Sequence, residues 1–166
     1  MTALNSRDDL AATLSFRPLE AGDTALLYAH FSELSEHSRA KFRPHPFDYE
    51  TAARFTGEGL TDPECIRFIA LVEYEGAPHA AGYCFIADLN NEVPWVGIAV
   101  GDRWQGMGAG RRMMECMIAH AKALGKRGLR LTTDKDNIAG QTLYQKCGFV
   151  ITGEGDEDDY RMKLEF

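Results

Sequence analysis

The stretch RWQGMGAGRRMM, residues 103–114, sets Gly106, Gly108 and Gly110 into five positions and runs straight into a helical pattern. A helix start leaves its first backbone N–H groups without intrahelical partners and carries about half a unit of positive charge. Several such N–H groups aimed at one point, with no side chains to block the approach, make an anion site. Arg111 and Arg112 add formal charge at the same end, an arrangement that opposes the helix dipole unless an anion sits there. Two familiar phosphate loops do not fit. A dinucleotide-binding loop has G-x-G-x-x-G in the first βαβ unit, whereas the spacing here is G-x-G-x-G after some 100 residues. A Walker loop needs Gly-Lys followed by Ser or Thr, and no such run follows these glycines. The residues themselves leave two readings open, a phosphate cradle and a flexible turn.

Periodicity supplies the elements that position this loop. TLSFRPLE (13–20) reads as a strand, and from Asp23, a plausible N-cap, Leu26, Leu27, Phe31 and Leu34 recur at helical spacing. KFRPHPF (41–47) is extended, because each proline pushes its predecessor out of the helical region, and a second helix follows from Asp48 to about Leu60. Residues 66–76 and 79–89 form a hairpin about Gly76–Pro78, and 93–100 is a third strand of that run. Pro94 predicts a bulge or an edge there. Met113, Met114, Met117, Ile118, Ala121 and Leu124 mark an amphipathic helix ending near Gly125. A strand at 128–134, a helix at 137–146 and two strands joined by GEGDEDD complete the order β-α-α-β-β-β-α-β-α-β-β, a mixed α/β (α+β) domain.

The 166 residues suit one domain, with residues 1–12 expected as a flexible arm and 13–166 as the folded unit. A net charge of −7, from 25 acidic against 18 basic residues, argues against nucleic acid, which needs a basic footprint. No apolar run approaches the roughly 20 residues that span a bilayer, and no basic-then-apolar leader opens the chain, so a cytoplasmic location without membrane partners is expected. Cys65, Cys84, Cys116 and Cys147 form no C-x-x-C pair and read as free thiols. Cys116 and His120 share a helix face but lack further ligands, so no metal is expected.

Two segments together resemble the GNAT acetyltransferase superfamily. VGIAVGDRWQGMGAGRRMM carries a Q/R-x-x-G-x-G/A loop after a strand, met by Gln105, Gly108 and Gly110; Arg103, Gly106 and Gly108 also match but start the apolar helix out of phase. NIAGQTLYQKCGF (137–149) is similar to the second family signature, with Asn137 and Tyr144 seven apart and Gly148-Phe149 at its close. The resemblance implies a single GNAT-like domain whose mixed central sheet is splayed at the fourth strand, aided by the bulge at Pro94. It implies acetyl-coenzyme A (acetyl-CoA) as cosubstrate, its pantetheine arm paired with the backbone of Ile98, Ala99 and Val100. The pyrophosphate would lie on Gln105, Gly106, Met107, Gly108, Ala109, Gly110 and Arg111, with Asn137 a further contact. Tyr144 would sit near the thioester sulfur and protonate the leaving thiolate.

Acetyl transfer to an amine needs a neutral nitrogen, an aligned attack, a stabilised oxyanion and a protonated leaving group. A tyrosine hydroxyl, of pKa about 10, suits the last task. The family pattern breaks at the general base. Many members carry a glutamate five or six residues before the position of Val100, where this chain has Trp95 and Pro94. Glu92, Asp88, Glu33, Glu36 or a water chain are the replacements. The acceptor pocket of the family lies between the first two helices and the last hairpin, here FRPHPF and GEGDEDDY, with His45 and Trp95 as candidate walls. Five acids in the six positions 154–159 read as a solvated turn or as a funnel for a cationic amine. The expected function is N-acetylation of a primary amine on a small molecule. The alternatives are a non-catalytic acyl-CoA sensing module and a protein acetyltransferase; a homodimer is compatible with each.

Overall fold

Apolar residues with high strand propensity zip Cys65–Tyr74 (β2) and Ala77–Ala87 (β3) into an antiparallel pair on which the rest of the sheet is laid. In the computed structural model, which describes residues 7–166, the other strands are β1 (Ser15–Pro18), β4 (Trp95–Val100), β5 (Gly128–Asp134), β6 (Val150–Glu154) and β7 (Asp159–Glu165). They form one seven-stranded sheet of order β1-β2-β3-β4-β5-β7-β6. Every neighbouring pair is antiparallel except β4 and β5, which run parallel and share a single paired position, Trp95 with Arg130. Beyond that point the two strands part. The sheet is therefore mixed and splayed at its fourth strand, as the resemblance implies.

Six helices accompany these strands among the described residues: α1 (Arg7–Thr13), α2 (Thr24–Glu33), α3 (Glu36–Lys41), α4 (Tyr49–Phe55), α5 (Ala109–Ala123) and α6 (Ile138–Lys146). On one face the fully buried Met113, Met114 and Met117 of α5 pack with Cys84, Ile86, Ile98, Leu129 and Leu131 of the strands. On the other, Leu27 and Phe31 of α2 and Phe55 of α4 meet Ile69 and Tyr83. Gly82 makes the close docking of α5 possible, since a Cβ there would lie 2.6 Å from the Met113 sulfur. Each large side chain so buried contributes about 1.5–3 kcal/mol.

Four sequence expectations need correction. The arm expected over 1–12 is helix from Arg7 onward, with Leu10 buried in the α5-side core, because α1 covers apolar surface that β2 would otherwise expose; residues 1–6 lie outside the described residues. The first helix breaks into α2 and α3 at Leu34, whose extended backbone lets Ser35 cap α3 by accepting from the Ser38 N–H. Pro94 makes no bulge. It precedes β4 and its carbonyl accepts from the Arg130 N–H at 3.0 Å, while the register shift falls on β3, where Ala81 is the extra residue. Leu124 closes α5 exposed, beyond its buried stripe.

Leu10→Ala is expected to lower the unfolding free energy by roughly 2–5 kcal/mol in urea titration, the usual cost of a core leucine. An unchanged midpoint would show that α1 contributes nothing to the core.

Candidate active site

Three hydrogen bonds fix which way the β4 backbone faces. The Gly101 N–H donates to Ala81 of β3, whereas the Pro94 and Val100 carbonyls accept from the β5 side and from Gln105. Groups alternate along a strand, so Ala99 turns its N–H and C=O to β3. Ile98 and Val100 turn theirs to the seam left where β5 has diverged. Of the three residues expected along the pantetheine, two thus turn backbone groups to the seam, where the Val100 carbonyl meets the Gln105 side chain.

The glycine loop stands at the wide end of this seam, and its glycines serve two different ends. Gly106 and Gly108 have φ of 73° and 91°, the left-handed region that glycine adopts without strain, and nothing lies within 4 Å of where a Cβ would stand. Gly108 is the N-cap of α5, so Ala109, Gly110 and Arg111 present their N–H groups at the helix start. Gly110 serves packing: a Cβ would meet Leu143 at 3.0 Å and Val100 at 3.3 Å, so its absence seats α5 against β4 and α6. Met107 packs against the core and Ala109 is buried. Arg111 pairs with Glu115 one turn along the helix at 2.8 Å, and the Arg112 guanidinium lies 5.8 Å from the Phe16 ring centre on β1.

Gln105 locks the loop. Its side-chain amide donates to the Val100 carbonyl at 3.1 Å and to the Ser38 hydroxyl of α3 at 3.0 Å. Asp102 accepts from the Ser35 N–H at 3.3 Å; burial works to raise its pKa, but hydrogen bonds from Ser35 and Ser38 hold the carboxyl below its usual range. Asn137 caps α6 by accepting from the Gly140 N–H at 3.1 Å and donates to the Thr133 hydroxyl at 3.2 Å. Tyr144 is half-buried on α6, 6.1 Å from Phe149 between ring centres, and burial pushes its hydroxyl up to about 12. That keeps the proton in place at neutral pH. The four cysteines are free, and burial raises the pKa of each thiol, which disfavours the thiolate that covalent catalysis would need.

A strap crosses the seam on the opposite face from α5. Phe42 stands over Gly97 of β4, where a Cβ would come within 3.2 Å of its ring. On either side of Phe42, Lys41 bonds Asp136 at 2.5 Å and Arg43 bonds Asp134, the last residue of β5, at 2.8 Å. Sequence reasoning missed this strap because its partners stand more than ninety positions apart. His45 of the same segment is half-buried among Phe31, Phe42, Phe47, Phe55 and Tyr83, where burial lowers its pKa.

A cleft of about 690 Å³ runs from Trp95 and Arg130 at the narrow end of the seam to the β6–β7 hairpin. Arg130 stacks on Trp95, 4.5 Å from a ring centre, and pairs with Asp88. Glu92, another candidate base, pairs with Arg127 at 3.2 Å in solvent, and Glu33 and Glu36 are exposed. Three of the five hairpin acids are already paired: Glu154 and Asp158 with Lys135, and Asp156 with Arg161. Among the described residues, no cluster of His, Cys, Asp and Glu could hold a metal, and no helix is long and apolar enough to cross a membrane.

A mixed sheet opened between two parallel strands, with a glycine loop and helix start at the mouth, defines this α/β domain. Residues 27–149 match the model of the acetyltransferase (GNAT) family, and the chain belongs to that family. Its fold is similar to ribosomal-protein-S5-alanine acetyltransferase from Vibrio fischeri, with TM-score 0.80, 16% identity and coverage of 92% of this chain and 93% of that one. An acetyltransferase of the GNAT family from Streptococcus pneumoniae aligns with TM-score 0.71 and 25% identity over 92% and 99% of the two chains. Spermidine N-acetyltransferase from Vibrio cholerae, in complex with CoA and spermine, aligns with TM-score 0.75 and 19% identity over 93% and 96%. A mycothiol acetyltransferase from Geodermatophilus obscurus is 42% identical over 46 residues, a stretch that covers 28% of this chain and only 15% of that protein.

His30 of α2 lies beneath the mouth, its Nδ1 near Gly101 and its Nε2 buried without a partner. Burial pushes its imidazole down to about 4 from 6.5. Above pH 6.5 it is neutral in both folded and unfolded chains. As the pH falls from 6.5 towards 4, only the unfolded chain takes up the proton, so this residue is expected to cost roughly 3 kcal/mol of stability across that window. Unfolding free energies measured across that range should lose this component in His30→Gln, whatever the variant's own starting stability; parallel curves would refute the assignment.

Proposed function

We propose that the protein transfers the acetyl group of acetyl-CoA directly to the amine of a small molecule. The observation that carries the reading is the seam: β4 leaves β5 after one pair, and the Ile98 and Val100 backbone faces the gap beside the glycine loop. The residues fit the cosubstrate. A strand edge without a ladder partner suits an extended amide-bearing arm, and the bare surfaces of Gly106 and Gly108 beside the start of α5 suit a pyrophosphate. When bound, acetyl-CoA supplies an activated acetyl thioester, which an amine nitrogen can attack with loss of the thiol. The chain's part is to place and to move protons. N–H groups of Ile98 or Val100 would hold the carbonyl oxygen as it gains charge. Tyr144, kept protonated by burial, would give its proton to the sulfur and regain one shed by the amine.

A cleft of about 690 Å³ beside the seam, within the size range of small-molecule sites, supports a small-molecule acceptor. The names of two structural relatives, which acetylate spermidine and the alanine of a ribosomal protein, support nitrogen as the acceptor atom. Saturating acetyl-CoA is expected to raise the melting temperature by mass action, and free-thiol release across an amine panel reports turnover. Tyr144→Phe should lower kcat about a hundredfold while the KM for acetyl-CoA stays within about twofold. Unaltered kcat would remove Tyr144 as the acid, and neither thermal shift nor thiol release would remove the reading itself.

A further inference from the structure

The cleft between Trp95 and the β6–β7 hairpin has a floor that the alternation of two strands makes cationic. Arg130 and Thr132 of β5 stand opposite Lys163 and Arg161 of β7, and all four line the cleft. Like charges directly opposed on a ladder destabilise it, and here a cation faces a cation across the strands. Their recorded partners lie at the periphery: Asp88 at the end of β3, Glu165 two residues along β7, and Asp156 on the hairpin. Glu165 and Asp156 are 76% and 93% exposed, and pairs so exposed hold little free energy, so an incoming anion can displace or share them. Arg130 is the most constrained of the three. Stacking on Trp95 fixes its guanidinium plane, Asp88 takes one terminal nitrogen, and Nε is a buried donor without a partner. A planar guanidinium held this way keeps in-plane donors for a carboxylate or phosphate.

We infer that the acceptor amine carries an anionic group, carboxylate or phosphate, bound by Arg130 and Lys163 with Arg161 beside them. The inference rests on the acetyl-transfer reading of the same site and names its substrate class. The strand register also gives the acceptor a direction. Arg130 and Lys163 form the row level with Trp95 at the narrow end, whereas Asp134 and Asp159 form the row at the wide end. The hairpin acids Asp156, Glu157 and Asp159 line that far wall. A molecule with an anion at one end and an ammonium at the other matches this polarity, its amine directed to the wide end of the seam. A purely cationic polyamine would meet three like charges on the floor.

Initial rates of thiol release for matched pairs test this: lysine against 1,5-diaminopentane, 4-aminobutyrate against propylamine, and phosphoethanolamine against ethanolamine. The anionic member of at least one pair is expected to show kcat/KM about tenfold higher or more, and the responding arm tells carboxylate from phosphate. Arg130→Gln should erase most of that advantage through the acceptor KM and leave the KM for acetyl-CoA unchanged; Lys163→Gln does the same if the first variant fails to fold. Equal or better turnover of the member without the anion in every pair, or an advantage kept in both variants, overturns the inference. Calorimetric binding of N-acetyl-lysine and N-acetyl-1,5-diaminopentane to the CoA complex reads the floor without turnover. Tighter binding of the carboxylate with no turnover of any amine would sink the acetyl-transfer reading alone, and equal binding would sink the anionic floor.

Discussion

Past the pair Trp95–Arg130, the backbone of Ile98 and Val100 faces no neighbouring strand. Each N–H or C=O left unpaired in a dry interior costs about 1–3 kcal/mol, so this seam cannot close as ordinary core. It has to stay open to solvent or to a ligand that completes the ladder. Much of the surrounding structure can be understood as what keeps it open. Gly110 brings α5 down on β4 from one side, and the Gln105 side chain satisfies the Val100 carbonyl at the end of the strand. From the other face, the strap reaches β5 through Arg43 and Asp134 and fixes the distance the two strands keep.

Charge is distributed around the opening rather than within it. The strap cations meet the Asp134–Asp136 end of β5, the hairpin acids meet Lys135 and Arg161, and the narrow end is held by Asp88, Arg130 and Trp95. The position where a catalytic glutamate would be expected is therefore occupied by an indole that carries a guanidinium on its face.

Much of this was legible in the chain. The spacing of Gln105, Gly108 and Gly110 and of Asn137 and Tyr144 points to the family, and periodicity gives the succession of strands and helices along the chain. The sequence shows these glycines only as bare backbone, whereas two adopt left-handed turns and the third permits close packing, a distinction that only φ values and neighbours reveal. Arg130, Thr132 and Asp134 alternate visibly with Leu129, Leu131 and Thr133, so one polar face of β5 could have been seen. Its opposition to Lys163 and Arg161 could not, because register across β5 and β7 is a tertiary property. The helix at Arg7–Thr13 escaped notice because a single turn or two of helix is stabilised by what it covers, not by its own sequence.

The ion pairs of the strap join residues 91 and 95 positions apart. Closing so large a loop is entropically unfavourable, and its reward arrives only after β2, β3 and β4 have already paired locally. Loop-closure entropy of this size favours assembling the opening after the local hairpin contacts and loosening it before them. For this domain, the capacity to hold a ligand and the integrity of the sheet are separable quantities: warming or salt can release the strap while the hairpin core persists, and a ligand that bridges the strands does for the late contacts what local pairing does for the early ones.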